Sequence, residues 1–240
     1  MTSTASATPG PLLRFQALCL DTDAAHLEQV AAFWSTALGW ESEPGHSGAV
    51  LRGTRPGESL WIDVVPEPRT VKHRTHLDVR VEDVETLLTA GARVDDATSF
   101  PWVVLRDPEE GELCAFPVGE GQRPGLYEVC TDCGPDAEPI TRWWAEVLGG
   151  EARRDEGDDW AYVTQPGGAP FEMWVFCPVP EPKSAKNRLH LDFRATRPDS
   201  VEILLERGAT LLRAPDDEVE WHVLADPDGN ELCVFAPEAG

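Results

Sequence analysis

Two strand-like segments carry the same three residues, His76-Leu77-Asp78 and His190-Leu191-Asp192. In an extended chain, residues two apart share a face, so each His lies beside its own Asp. A carboxylate next to an imidazole fixes its tautomer, and such a pair can serve as a pocket base or supply metal ligands. The same pair can instead tie the strand to backbone groups or to Arg74 and Arg188. The residues alone leave both readings open. Downstream, Glu112 and Cys114 match Glu231 and Cys233. The two-residue spacing puts each Glu on the face of its Cys. A Cys there can be a soft-metal ligand or a thiolate nucleophile, although free Cys is also a common buried residue. Trp102 and Trp221 stand one strand earlier in equivalent positions. A flat apolar ligand can stack on them, with core packing as the alternative.

These pairs belong to a tandem duplication. Val65-Pro-Glu-Pro-Arg-Thr-Val-Lys-His-Arg-Thr-His-Leu-Asp78 matches Val179-Pro-Glu-Pro-Lys-Ser-Ala-Lys-Asn-Arg-Leu-His-Leu-Asp192, and later stretches match in the same order. One copy spans residues 12–118 and the other 125–240, with 119–124 as linker and 1–11 as a disordered tail. Each copy reads as two similar halves: strand, helix, then a meander of strands. In the first half, a strand at Leu13–Leu20 precedes apolar residues at helical spacing to Leu38, stopped by Gly39, then strands at Ala49–Arg52 and Leu60–Val65. The pattern restarts with a strand at Thr75–Val81, a helix at Val84–Ala90, and strands near Ala92–Val94, Trp102–Leu105 and Glu112–Phe116. The second copy repeats it, with strands at Gly125–Cys130 and Leu189–Arg194 and helices at Glu138–Leu148 and Pro198–Arg207. The architecture is α+β: paired βαβββ units curl into two cups, with helices on the outer faces. The Asp107-Pro108 and Asp226-Pro227 segments read as hairpin turns, and the Val-Pro-Glu-Pro stretches as stiff linkers.

Composition narrows the partners. Twenty Lys and Arg face 43 Asp and Glu, a net charge of −23. That field repels nucleic acid and anionic membranes. No apolar run is long enough to span a bilayer, and the first residues make a poor signal peptide, so a cytoplasmic protein is expected. The six cysteines are then reduced. Cys130 and Cys133 form a CxxC, but no second pair completes a zinc site.

A doubled βαβββ unit closing on Asp-Pro-x-Gly-Asn-Glu-x-Cys, together with the Val-Pro-Glu-Pro…His-Leu-Asp signature, resembles the vicinal oxygen chelate superfamily. Its members include glyoxalase I, bleomycin-resistance proteins and extradiol dioxygenases; the signature is similar to a bacterial glyoxalase-like branch. The resemblance implies a small organic molecule held in a cup, in a drug-binding or resistance-like role. The alternative it implies is a metal-dependent lyase, isomerase or dioxygenase using Zn, Ni, Mn or Fe. Its ligand positions fall on Gln16, Asp63, His76 and Cys114 in the first copy. In the second they fall on Tyr127 or Glu128, Cys177 or a neighbour, His190 and Cys233. Gln16, Asp63 and His76 are the metal candidates. Gln16 against Tyr127 and Asp63 against Cys177 favour the first copy as the active one. With a cup per copy, a monomer with internal pseudo-two-fold symmetry is expected, a dimer being the alternative.

Overall fold

The computed structural model describes residues 10–238, so the tail at 1–9 and the last two residues lie outside it. Four βαβββ units follow one another. The first comprises β1 (Leu13–Thr22), α1 (Leu27–Leu38), β2 (Glu41–Pro44), β3 (Gly48–Arg52) and β4 (Ser59–Val64). The second comprises β5 (Thr75–Val81), α2 (Val84–Thr89), β6 (Arg93–Asp96), β7 (Val103–Arg106) and β8 (Glu112–Pro117). The third comprises β9 (Gly125–Cys133), α3 (Ala137–Leu148), β10 (Glu151–Arg153), β11 (Ala161–Thr164) and β12 (Met173–Pro178). The fourth comprises β13 (Leu189–Ala195), α4 (Ser200–Glu206), β14 (Thr210–Arg213), β15 (His222–Ala225) and β16 (Glu231–Phe235).

The long helices start and stop where their sequence says they must. Asp136 caps α3 by accepting from the Glu138 amide, and Gly39 and Gly149 end α1 and α3 at φ of 69° and 77°. The strands β2 and β10 were not expected. They are short edge strands, exposed throughout, with Glu41, Glu43, Glu151 and Arg153 in place of any apolar alternation.

The sheets do not follow the copies. One eight-stranded sheet runs β14-β15-β16-β13-β1-β4-β3-β2, and the other β10-β11-β12-β9-β5-β8-β7-β6. The first unit therefore closes an outer cup with the fourth, and the second closes an inner cup with the third. The expectation of one complete cup per copy is corrected: each copy supplies half of both. The reason lies in open strand edges. Within a unit, the first strand pairs in parallel with the last, as β1 does with β4 and β5 with β8. Its other edge must find the first strand of another unit. The short connection after β8 delivers β9 to the free edge of β5, antiparallel from Thr75↔Thr131 to Arg80↔Gly125. That leaves β1 for β13, paired from Leu13↔Ala195 to Leu20↔Leu189. The two Val-Pro-Glu-Pro stretches carry the chain from one sheet to the other.

Helices pack on the convex faces, and α1 and α3 also bridge the two sheets. Trp144 of α3 meets Trp174 of its own unit at 4.4 Å and Phe193 of the outer sheet at 5.2 Å. Phe193 is fully buried and also meets Phe15 edge-on. Trp34 and Trp144 are core residues, as their helical positions implied. Their indoles donate to Asp107 and Asp226, each at 3.1 Å. Those carboxylates also accept turn amides, Gly111 N at 2.7 Å and Asn230 N at 2.9 Å. The Asp-Pro turns thus act as buried braces. Burial pushes the Asp226 carboxyl up to about 6.

Candidate functional site

Strand alternation sets the concave face of the inner cup. On β5, Leu77 and Val79 point into the core, so His76, Asp78 and Arg80 face the cup. Across the seam, Cys130 stands opposite His76 and Glu128 opposite Asp78. On the other side, Cys114 stands beside Asp78 and Phe116 beside Arg80. His76 Nε2 lies 3.3 Å from Asp78 Oδ1 and 3.9 Å from Cys114 Sγ. The same Asp78 oxygen accepts the Cys114 amide at 3.1 Å. Asp78 therefore does both jobs the sequence left open: it orients the histidine and it fastens the next strand.

The cup's electrostatics follow from crowding carboxylates out of water. Glu128 is 7% exposed. Burial, reinforced by the Asp78 carboxylate opposite, pushes its carboxyl up to about 9, so it is neutral at pH 7. Burial alone would lower the His76 imidazole, but Asp78 and then Glu112 outweigh it and raise it. Burial, with Asp78 next to it, pushes the Cys114 thiol well up, toward the protonated form.

Aromatic rings wall the outer end of this cup. Phe100 stacks on Trp102 at 5.0 Å, Trp102 on Phe116 at 4.9 Å, and Phe116 meets Tyr127 edge-on at 5.1 Å. The Arg80 guanidinium sits 3.6 Å over the Tyr127 ring and pairs with Glu172. Trp102 was expected; Phe100, Phe116, Tyr127 and Arg80 were not, as wall residues. The two-residue spacings Asp78–Arg80 and Cys114–Phe116 were the signal available for two of them.

The outer cup repeats the floor in a reduced form. Cys19 stands opposite His190, Asp192 beside Cys233, and Cys19 donates to Asp192 at 3.2 Å. His190 Nε2 is 3.7 Å from Asp192. Burial raises the Asp192 carboxyl. The place of Glu128 is taken by Ala17, opposite Asp192. Trp221 lies against Phe235 at 5.0 Å, and Trp61 carries Arg52 at 5.4 Å.

Other expected residues separate. Gln16, Asp63 and His76 do not converge, because Gln16 and Asp63 belong to the outer sheet and His76 to the inner. Gln16 also sits in a bulge between Phe15 and Ala17, which hands its place over the cup floor to Ala17. Asp63 stands beside Asp21 at the rim and bonds Ser47. Choosing between copies therefore loses its meaning, since each cup is built from both. Glu112 and Glu231 do face their cups but are engaged: Glu112 by Arg106 at 3.0 Å and Lys72 at 3.7 Å, Glu231 by Lys183 at 2.6 Å and the Asn187 amide at 3.1 Å. The CxxC splits across β9. Cys130 faces the cup and Cys133 is fully buried on the other side, as an odd spacing in a strand requires.

The signature's remaining residues lock the copies together. Arg74 donates to the Glu181 carbonyl at 2.9 Å and Arg188 to the Glu67 carbonyl at 2.7 Å. Lys72 reaches Asp132 at 3.1 Å, and Lys186 pairs with Asp21. Each bond crosses from one copy to the other, around a groove of about 880 Å³ between the two linkers.

Comparison with known proteins agrees with this architecture. The glyoxalase-like domain family matches twice, at residues 17–116 and 128–235. A search of curated proteins finds no match. Glyoxalase I from Zea mays superposes with a TM-score of 0.63 at 13% identity, over 93% of this chain and 92% of that one. A Bacillus subtilis protein provisionally assigned as a dioxygenase gives 0.63 at 10% identity, over 97% and 87%. The CppA protein of Streptococcus pneumoniae gives 0.51 at 11%, over 94% and 98%. At these identities the likeness is one of fold. With both copies matched and both cups in place, the chain belongs to the glyoxalase-like domain family of the vicinal oxygen chelate superfamily.

Proposed function

We propose that the protein binds a small, flat organic molecule in the inner cup, in the manner of a drug-sequestering protein. The observation that carries this reading is the placement of a polar floor beside an aromatic wall. A ring can lie against the partly exposed edge of the stacked Trp102 and Phe116 rings while the protonated Glu128 donates to an oxygen of the ligand and His76–Asp78 completes the polar contact. The outer cup, with Ala17 for Glu128, lacks that donor. Titration with planar aromatic ketones and quinones, followed by tryptophan fluorescence, tests it. Quenching is expected to saturate and to be lost in Trp102→Ala and Glu128→Ala while Trp221→Ala retains it. Equal loss in Trp102→Ala and Trp221→Ala refutes the assignment to the inner cup.

One observation favours a second reading, metal-assisted turnover. Donor atoms of His76, Asp78 and Cys114 lie within 4.8 Å of one another, and Glu128 adds a carboxyl opposite Asp78. A mixed N, O and S set fits Zn²⁺ or Fe²⁺, and the buried carboxyl pair would gain from a cation. Cys19, His190 and Asp192 form the corresponding cluster in the outer cup. A metal there would supply a Lewis acid for a ligand oxygen. Stoichiometric metal in protein purified without affinity-metal carryover, lost in His76→Ala, supports this reading. Metal-free protein that binds its ligand unchanged refutes it.

A further inference from the structure

The groove between the two linkers lies outside both cups. It is lined by Arg69, Lys72, His73 and Arg74 from one copy and by Lys186 and Arg188 from the other. Five Lys and Arg meet four Asp and Glu on its walls, in a chain where 43 acidic residues outnumber 20 basic ones. The second copy's signature side chains have internal partners. Lys183 pairs with Glu231 at 2.6 Å, Asn187 donates to Asn230 at 3.0 Å, and Arg188 pairs with Glu109 at 2.6 Å. In the first copy the three equivalent residues lose theirs, each for a visible reason. Glu112, the counterpart of Glu231, is taken by Lys72 and by Arg106, which stands where the second copy has Ala225. Arg69 is left without a hydrogen bond or ion pair among the described residues. Gly111 stands where the second copy has Asn230, so His73, 8% exposed, keeps its Nε2 buried without a partner. Asp228 is shorter than its counterpart Glu109 by a methylene. Glu109 reaches both Arg188 and the Asp23 amide, the latter at 3.2 Å, whereas Asp228 reaches only the equivalent Gly134 amide, at 2.9 Å. Arg74 therefore has carbonyl partners but no carboxylate. Burial, and after it the Arg69 and Arg188 guanidiniums, push the His73 imidazole down to about 3, in keeping with a positive field on this side of the groove.

We propose that this groove binds an organic monoanion, a carboxylate on a compact apolar body, with Arg69 and Arg74 as its counter-charges. A guanidinium receives a carboxylate through two parallel hydrogen bonds, and Arg69 has all its donors to offer. Val65, Pro68, Val71, Val179, Pro182 and Ala185 line the same groove and suit an apolar body. Val71 is 44% exposed there. The lysines of the groove do not compete for the anion, since Lys72 is held by Asp132 and Lys186 by Asp21. An occupant touches both linkers, so its binding favours the assembled pair of copies.

The test is calorimetric titration of the full chain with octanoate, which offers no ring to stack in the inner cup, and with 1-octanol as its neutral counterpart. Saturation at one octanoate per chain is expected, with affinity that falls as salt rises and with 1-octanol at least about ten-fold weaker. Arg69→Gln breaks no internal bond, so it should leave the unfolding midpoint in place while weakening octanoate by about ten-fold. Val71→Asp sets a carboxylate in the groove and should weaken it at least as much. Asp228→Glu gives Arg74 the internal partner that Arg188 has, and should lower the affinity too. Trp102→Ala and Glu128→Ala, which alter the inner cup, should leave octanoate binding unchanged. Affinity that is unaltered in either Arg69→Gln or Val71→Asp, or that is lost in Trp102→Ala or Glu128→Ala, overturns the proposal, as does 1-octanol binding equally tightly or the absence of saturable heat. Unfolding midpoints of each variant, measured alongside, separate loss of the site from loss of the fold.

Discussion

Cutting the chain in the 119–124 connection separates the two copies, and the sheet topology dictates the outcome. Copy one alone keeps β1 and β5 but loses β13 and β9, their seam partners. Leu13, Phe15, Leu18, Leu20, Leu77 and Val79 lie along those seams, all at 5% exposure or less. Burying such a side chain stabilises by about 2 kcal/mol, so returning half of each burial to water forfeits about 6 kcal/mol over the six. The unpaired strand edges add to that loss. A domain has only about 5–15 kcal/mol in total. Neither copy is therefore expected to persist as a folded monomer. Each should aggregate or pair with itself, and an equimolar mixture should regenerate a 1:1 complex with the far-ultraviolet dichroism of the intact chain. Size-exclusion with native mass spectrometry, plus urea unfolding of each half, reads this directly. A copy-one fragment that is monomeric at micromolar concentration and unfolds cooperatively would refute the crossed pairing.

Two further predictions concern single residues. Glu128 has a folded pKa of about 9 against an ordinary value of 4.5. Folding thus favours its protonated form, and the associated stability is complete below about 4.5 and is lost as pH rises toward 9, at up to about 1.4 kcal/mol per pH unit. In chelator-treated protein, Glu128→Gln should flatten the fall in urea midpoint between pH 6 and pH 8; an unchanged slope would sink the assignment. Phe193→Ala removes a fully buried ring that joins the two sheets through Trp144 and Trp174. It should cost about 3–5 kcal/mol in denaturant unfolding, and a loss under about 1 kcal/mol would show that this contact does not brace the sheets.

The sequence by itself determined the helices, the buried strands and their repetition, but not the exposed edge strands β2, β10 and β14. Apolar spacing with Gly39 and Gly149 marks the helices, and alternation on β5 and β13 already assigns His76, Asp78, His190 and Asp192 to one face of their strands. These are local properties, settled by backbone geometry within a few residues. The same local rule splits Cys130 from Cys133. What only the tertiary structure decided is which strand each open edge accepts. Pairing between β1 and β13 joins residues more than 170 positions apart, as Cys19 and Asp192 show. The two copies offer nearly identical edges, so no local pattern distinguishes a cup within a copy from one across copies. That choice settled the site. It placed Gln16 and Asp63 in a different sheet from His76 and set Glu128 of the second copy against Asp78 of the first.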